Sequence, residues 1–221
     1  MERVLFAWSG GKDSALALYT LLREGNWEVA GLLTTVTEGY QRISMHGVRL
    51  ELLRRQAESL GLPLEIVWIP QQCGNEEYER RMREVLERHL AEGVRTAAFG
   101  DIHLQEVRAY RERNLARLGM GAVFPLWGKT PAELIRQFIA LGFRAVITCV
   151  DTTMLGQEFA GREIDAQLAA ELPAGVDPCA ENGEFHSFVY AGPIFRRPIA
   201  FTRGEKILRE GRFYYCDLLP A

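Results

Sequence analysis

Six consecutive residues near the beginning of the sequence have the types that a phosphate site needs. They are Ser9, Gly10, Gly11, Lys12, Asp13 and Ser14. The glycines allow the backbone to approach a ligand closely, Lys12 supplies a positive charge, and the serine hydroxyls can donate hydrogen bonds. This is not a Walker A loop, because Phe6 stands where that loop has a glycine and Asp13 stands where it has serine or threonine. The alternative is a solvated turn that happens to carry a lysine.

A second group of polar residues lies in the last quarter of the sequence. It places two carboxylates, an amide and an imidazole within six residues, as Glu181, Asn182, Glu184 and His186. If Glu184 and His186 lie on one strand, their side chains share a face because they are two residues apart. A Glu/His pair could take a proton from a nucleophile near neutral pH. The alternative is a polar hairpin around Asn182 and Gly183, which together are a turn signal.

The elements that must position these groups follow from hydrophobic patterning. Along the first 127 residues, short apolar runs alternate with helical spacing, and we expect strands at 3–8, 29–36, 64–69, 96–100 and 122–126. Such buried strands separated by helices predict an α/β fold, with a five-stranded parallel sheet covered by helices on both faces. After Gly128 the pattern changes to a helix, a strand at 145–150, a helix at 162–172 and short β-prone runs. We therefore predict one domain at 1–127, which contains the phosphate-type segment and would bind a nucleotide, and a smaller α+β domain at 128–221, which would bind a substrate.

Parallel sheets bind ligands beyond the carboxyl ends of their strands. The phosphate-type segment ends the first strand, Thr34 lies at the end of the second, Gly100 and Asp101 end the fourth, and Trp127 follows the fifth. We expect these residues to converge. Asp101 could hold a metal, a substrate amine or a helix N-terminus, and Asp13 could bind a metal or cap the first helix.

Composition excludes several classes of protein. With 26 basic and 29 acidic residues the formal net charge is −3, and 48% of the 221 residues are hydrophobic, which is unlike a disordered, collagen-like or histone-like chain. The four cysteines are scattered without CxxC spacing, and no apolar stretch has the length of a membrane span. These features favour reduced thiols, a cytoplasmic location and no membrane partner, and they make a nucleic-acid partner unexpected.

The sequence resembles a known family over nearly its whole length. The SGGKDS segment after a first strand looks like the PP-loop of the N-type ATP pyrophosphatases, and further segments resemble the diphthine–ammonia ligase branch of that superfamily. These segments are 45–47 (MHG), 99–102 (FGDI), 125–128 (PLWG), 142–146 (GFRAV), 159–162 (FAGR), 176–189 (VDPCAENGEFHSFV) and 192–195 (GPIF). Ala180 departs from the family, which usually has glycine there. If that position needs a positive φ, the loop before Glu181 is shifted or strained.

The resemblance implies a Rossmann-like PP-loop (HUP) fold and an ATP-dependent ligase. In such enzymes a carboxylate attacks the α-phosphorus of ATP, pyrophosphate leaves, and ammonia then displaces AMP to give an amide. Mg²⁺ is the implied metal, with Asp13 as its candidate ligand. The catalytic candidates are Lys12, Asp101, Glu184 and His186. The ATP-binding candidates are residues 9–14, Thr34 and His46, and the substrate candidates are Gly100, Trp127, Glu181, Asn182 and Gly183.

The implied partners are ATP, ammonia and a carboxylate. In an archaeal or eukaryotic cell the carboxylate would be the diphthine of elongation factor 2, and in a bacterial cell another small molecule or protein. Two alternatives stay open: a PP-loop tRNA-modifying enzyme, disfavoured by the lack of paired cysteines, and an adenine-nucleotide sensor without catalysis. His46 could instead begin a helix. The arginines at 108, 111, 113 and 117 predict a solvated basic helix face, with a docking surface as the alternative.

Overall fold

The computed structural model describes residues 1–43 and 47–221. His46, a candidate ATP ligand, lies outside these described residues. In chain order the elements are β1 (Glu2–Ala7), α1 (Lys12–Glu24), β2 (Trp27–Thr37), β3 (Arg42–Ile43), α2 (Leu50–Leu60), β4 (Leu64–Ile69), α3 (Asn75–Ala91), β5 (Thr96–Ala98), α4 (Gln105–Ala116), β6 (Gly121–Val123), α5 (Pro131–Ala140), β7 (Arg144–Asp151), α6 (Ala166–Glu171), β8 (Phe185–Ala191), β9 (Phe201–Arg209) and β10 (Phe213–Pro220).

The first sheet contains the five predicted parallel strands. They lie side by side in the order β4, β2, β1, β5, β6, and every pairing between them is parallel. A sixth strand, β3, pairs antiparallel with the end of β2 and is only two residues long, too short for a periodicity to reveal it. In this order β1 lies between β2, the next strand along the chain, and β5, which is added later on the opposite side of β1. The segment after β1 therefore sits where the strand order reverses, which is where open α/β sheets bind ligands.

Helices cover both faces of this sheet, as predicted. The alternation along β1 shows why: Val4 and Phe6 face one core, with leucines of α1 and α2, whereas Leu5 faces a second core that includes Val85 of α3 and Leu115 of α4. Strands buried on both faces are apolar without interruption, which is the pattern that predicted them. The predicted fifth strand, 122–126, ends earlier, at Val123, and the chain reaches Pro125, which cannot donate a ladder hydrogen bond.

The second sheet is antiparallel throughout, in the order β8, β7, β10, β9. Glu210 and Gly211 form the hairpin turn between β9 and β10, both with positive φ. The predicted helix at 162–172 is shorter than expected. Asp165 caps α6 by accepting a hydrogen bond from the Leu168 N–H, and the residues before it run beside β7, where Ile164 N–H donates to the Ala145 carbonyl. Pairing of these residues with β7 replaces the first turn of the predicted helix, and a local helical pattern does not reveal such pairing.

One hydrophobic core joins the two sheets. It contains Leu18 of α1 and Leu53 of α2 together with Phe138, Val146 and Phe188 from the second half of the chain. Within it, the rings of Tyr19 and Phe143 meet edge to face with centroids 6.0 Å apart. The two sheets therefore pack as one body around α1 and α2. No helix within the described ranges is both long and apolar enough to cross a membrane.

Candidate active site

The segment after β1 forms a tight turn into the N-terminus of α1. Gly10 has φ +78°, a conformation that favours glycine, and Gly11 is the N-cap of α1. The Ser14 hydroxyl donates to the Gly11 carbonyl at 2.9 Å, and the Gly11 N–H donates to Ser9 Oγ at 3.2 Å. The turn therefore places two serine hydroxyls and the N–H groups of a helix start at one point. This is the arrangement expected of an anion site.

Lys12 lies inside the protein rather than in solvent, since it is only 4% exposed. Its Nζ lies 2.7 Å from Asp13 Oδ2, contacts the carbonyl oxygen of Cys179, and lies 5.5 Å from the centroid of the Phe185 ring. Burial disfavours the charge on Lys12, but the negative charges of Asp13 and Asp177 outweigh burial, so the pKa of Lys12 is raised. Lys12 therefore remains protonated and connects residues 9–14, which we call the phosphate loop after their predicted ligand, to the loop at 177–184.

A cavity of about 610 Å³ opens at the carboxyl ends of the parallel strands, beside the phosphate loop. Ten of the sequence-predicted site residues line it: Ser9, Gly11, Lys12, Asp13, Ser14, Thr34, Gly100, Asp101, Glu181 and His186. Its lining also includes an apolar wall formed by Leu33, Ile69, Met82 and Phe99. The cavity thus combines polar residues suited to an anion with an apolar surface, and both halves of the chain contribute to it.

Other predicted residues lie outside the cavity lining. Gly10 packs against α2, and a Cβ atom added at this position would lie 2.6 Å from Gln56 Oε1. Trp127 packs instead against Phe124 and the guanidinium of Arg108, which lies 4.6 Å from its ring centroid. Asn182 and Gly183 belong to the turn behind the cavity wall, where the Gly183 N–H donates to the Ala180 carbonyl.

Gly100 and Asp101 bring the end of β5 against α1. A Cβ at Gly100 would lie 3.1 Å from the backbone of Asp13 and Ser14, so a side chain there would push the strand away from the helix. The carboxylate of Asp101 forms an ion pair with Arg111, whose Nε lies 2.7 Å from Asp101 Oδ2. The guanidinium of Arg111 also lies 4.4 Å from the Phe99 ring centroid. Arg111 thus lies in the cavity wall, and Arg108 on an aromatic platform, rather than both on a solvated basic face.

Glu184 and His186 take different environments instead of forming a pair of side chains on one face. Glu184 precedes β8 and is 1% exposed, and its Oε1 accepts hydrogen bonds from the Asp177 N–H at 3.1 Å and the Asn182 amide at 3.0 Å. His186 lines the cavity, where burial and the neighbouring Lys12 lower its pKa to about 4. His186 is therefore neutral at pH 7, rather than titrating near neutrality. Glu184 holds the 177–184 loop together.

Glu181 connects this loop to the first sheet. Its Oε1 accepts a hydrogen bond from the Ile102 N–H at 2.8 Å, directly after Asp101. Burial, together with the charges of Asp13 and Asp101, raises the pKa of Glu181. Burial likewise raises the pKa of the Cys179 thiol to about 12, so this cysteine is not an activated nucleophile. All four cysteines are free, and three of them are buried.

Ala180, where glycine was expected, adopts the positive φ that glycine favours. Its φ is +54°, and the residue is 9% exposed. The loop is therefore not shifted away from this conformation; the alanine is held in it by the hydrogen bonds on either side. An alanine in the left-handed region costs roughly 1–2 kcal/mol.

Two residues of the site were missed by the sequence reasoning. Ser187 of β8 accepts a hydrogen bond from the Lys12 N–H at 3.2 Å and lines the cavity. Gln56 of α2 is completely buried and contacts both the phosphate loop and β8. Gln56 did leave a signal, because it interrupts the apolar stripe of Leu52, Leu53, Ala57 and Leu60. A glutamine in such a stripe needs hydrogen-bond partners inside the protein.

Comparisons with known proteins cover both halves of the chain. Residues 2–122 match the family model of the diphthamide synthase N-terminal domain, and residues 130–217 match that of the diphthamide synthase C-terminal domain. The diphthine–ammonia ligase of Mus musculus is 26% identical over 238 residues, with 94% of this chain and 86% of the mouse protein covered. The diphthine–ammonia ligase of Schizosaccharomyces pombe is 26% identical over 227 residues, covering 93% of this chain but 37% of the yeast protein.

Among solved structures, a predicted subunit of tRNA methyltransferase from Methanocaldococcus jannaschii matches with a TM-score of 0.42 and 20% identity, covering 62% of this chain and 74% of that one. The U34-tRNA thiolase NcsA from Methanococcus maripaludis matches with a TM-score of 0.36 and 17% identity, covering 63% and 56% of the two chains. Likenesses this remote carry no argument about activity. The two family models, matched in order along almost the entire sequence, show that the chain belongs to the diphthamide synthase family.

Proposed function

We propose that this protein is an ATP-dependent ligase that converts a carboxylate into an amide with ammonia, releasing AMP and pyrophosphate. The observation that carries the proposal is a single cavity whose lining contains both the phosphate loop and Glu181 and His186 of the C-terminal half. One cavity can therefore contain a nucleotide and a second reactant together. The names of the mouse and yeast relatives, both diphthine–ammonia ligases, support the same reaction.

In this proposal ATP lies across the carboxyl ends of the strands. The β- and γ-phosphates accept hydrogen bonds from the N–H groups that begin α1, with Lys12 as the positive charge. The hydroxyls of Ser9 and Ser14, which donate to Ser14 Oγ and to the Gly11 carbonyl in this structure, would turn toward the phosphates when ATP binds. The base lies on the apolar side of the cavity, against Leu33 and Phe99, because an uncharged aromatic ring is stabilised by apolar contact. Thr34 borders this path, although its hydroxyl proton already donates to the Trp8 carbonyl at 2.6 Å. His46 remains a proposed ATP contact.

The residues present fit Mg²⁺ only together with ATP. Within the described ranges, no group of three or more His, Cys, Asp or Glu side chains could hold a metal. Asp13 is the carboxylate that the phosphate loop itself contributes to the cavity lining, and Mg²⁺ is commonly bound by one or two carboxylates plus substrate phosphates. Asp13 would thus supply one ligand, and the ion would neutralise phosphate charge. Asp13 does not cap the helix, since the N-cap of α1 is Gly11 and no side chain caps it.

The remaining roles follow from the chain's own side chains. The substrate carboxylate attacks the α-phosphorus, and pyrophosphate leaves toward Lys12 and the N-terminus of α1. Ammonia then attacks the acyl carbon, AMP leaves, and the nitrogen loses a proton, for which neutral His186 is the proposed acceptor. Asp101 holds Arg111 in the cavity wall, and Glu181 joins the two loops. Glu184, with Asn182 and Gly183, shapes the loop rather than touching the reacting atoms.

We propose which half of the chain binds each reactant and which carboxylate is the substrate. Residues 1–127 would bind ATP, and residues 128–221, together with Gly100 and Trp127 of the first half, would select the carboxylate. The relatives' names favour diphthine on elongation factor 2 where the cell makes it, and another carboxylate where it does not. A cytoplasmic location, in keeping with four free cysteines, belongs to this proposal.

Product analysis tests the reaction. Purified protein is incubated with ATP, Mg²⁺, ammonium and elongation factor 2 carrying diphthine, and the nucleotides are separated by chromatography. We expect AMP and pyrophosphate in equal amounts with the amide, and no AMP when elongation factor 2 is omitted. ADP and phosphate would contradict the reaction class. Binding of ATP without any turnover would favour a nucleotide sensor instead.

A further inference from the structure

The peptide between Gly10 and Gly11 is held from outside the phosphate loop. The Gly10 carbonyl accepts hydrogen bonds from the Val189 N–H of β8 at 2.9 Å and from Gln56 Nε2 of α2 at 3.0 Å. In a trans peptide the carbonyl and the following N–H point in opposite directions. The Gly11 N–H therefore points away from Gln56 and Val189, toward Ser9 Oγ and the cavity that Gly11 lines.

Gln56 uses both of its amide N–H donors and its amide oxygen in hydrogen bonds around this peptide. Besides the Gly10 carbonyl, its Nε2 donates to the Val189 carbonyl at 2.6 Å, and its Oε1 accepts from the Trp8 indole N–H at 3.0 Å. The side chain is 0% exposed, where an unpaired amide would be strongly unfavourable. Gly10 is matched to it, since a Cβ at position 10 would strike Gln56 Oε1. The amide thus fits this peptide orientation and would oppose its reversal.

We propose that Gln56 is a positioning residue for phosphate binding. It fixes the Gly10–Gly11 peptide with the Gly11 N–H directed to the cavity, and it fastens that peptide to β8, which also carries His186 and Ser187. This inference rests on the proposed function only in assigning the phosphate to ATP. Gln56 itself touches no reactant, and it acts by setting the direction of a backbone donor.

The test compares Gln56→Met with Ser59→Ala. Methionine keeps the length of the side chain but removes every strong hydrogen bond. Ser59 lies on the same helix and also fastens it to the second half of the chain, through the Arg197 carbonyl at 2.6 Å and the Arg197 N–H at 3.1 Å, but away from the phosphate loop. Dissociation constants for α,β-methylene ATP and for pyrophosphate are measured by calorimetry, and stability by urea unfolding.

We expect Gln56→Met to weaken binding of both ligands by about tenfold or more, because a misdirected donor in a phosphate site is costly. Ser59→Ala should lose stability with unchanged dissociation constants. If Gln56→Met does not fold, Gln56→Glu replaces it: its protonated form keeps one donor, so its affinity should approach that of the parent as the pH is lowered. A folded Gln56 variant that binds both ligands like the parent, at every pH, would overturn the inference. A parent protein that binds neither ligand would instead count against the proposed function.

Discussion

Replacing Ala180 by glycine measures the strain in the loop that contacts Lys12. Glycine relieves roughly 1–2 kcal/mol, the cost of an alanine at positive φ, since φ at this position is +54°. The same change loses about 0.4–1 kcal/mol because the unfolded chain becomes more flexible, and about 0.8 kcal/mol because a buried methyl group is removed. These contributions nearly cancel. We therefore expect Ala180→Gly to change the free energy of unfolding by less than about 1 kcal/mol.

Ala160→Gly is the matched control. Ala160 is 0% exposed and has φ −64°, so glycine brings the same losses without any relief of strain. It should destabilise the protein by about 1–2 kcal/mol. Urea unfolding of the two variants and the parent, followed by circular dichroism, gives the comparison. If the two substitutions prove equally destabilising, the alanine at 180 is not strained and the reasoning about this loop is wrong.

Three further changes test the site and its surroundings. Lys12→Ala should reduce ATP turnover by at least about a hundredfold, because the buried ammonium is the positive charge that we propose for phosphate binding. A near-normal rate of AMP formation would refute this. Glu184→Gln keeps an oxygen that accepts hydrogen bonds from Asp177 and Asn182, and it should retain most activity. If a folded Glu184→Gln variant no longer forms the amide, Glu184 takes part in proton transfer and its structural role here is wrong. Although Asp217 is partly buried, hydrogen bonds from two arginines hold its pKa at about 2, below the usual 3.8. The ionised carboxylate therefore stabilises the fold fully above pH 3.8, and this stabilisation is lost as the pH falls toward 2. Asp217→Asn should flatten the acid part of a plot of melting temperature against pH, and an unchanged acid part would contradict this.

Much of the structure of the first half of the chain follows from local sequence. The uninterrupted apolar strands, the glycines after β1 and the helical stripe of α1 each agree with the sheet that forms. Because parallel strands place their carboxyl ends at one edge, Thr34, Gly100 and Asp101 could be expected beside Lys12, and all of them line the cavity. The positions of these three residues follow from strand direction alone.

The remaining features depend on contacts between distant parts of the chain. Gln56 and Val189 are 133 residues apart, and nothing local indicates that β8 would bind the phosphate loop. The spacing of Glu184 and His186 suggested a shared face, but Glu184 lies just outside β8 and satisfies the loop instead. Arg111 has the sequence context of a solvated residue, yet Phe99 and Asp101 provide a ring and a carboxylate for it. Tertiary partners decide such cases.

The hydrophobic core common to the two sheets means that the two family-model matches do not correspond to two separable modules. A chain cut between residues 122 and 130 would leave Tyr19 and Leu53 without their partners in one fragment, and Phe143 and Phe188 without theirs in the other. Neither fragment could close its own interior. A chimera that exchanges one half for that of a distant relative must therefore restore the packing of the shared core around α1 and α2. For the same reason, core substitutions in one half are constrained by the side chains of the other half.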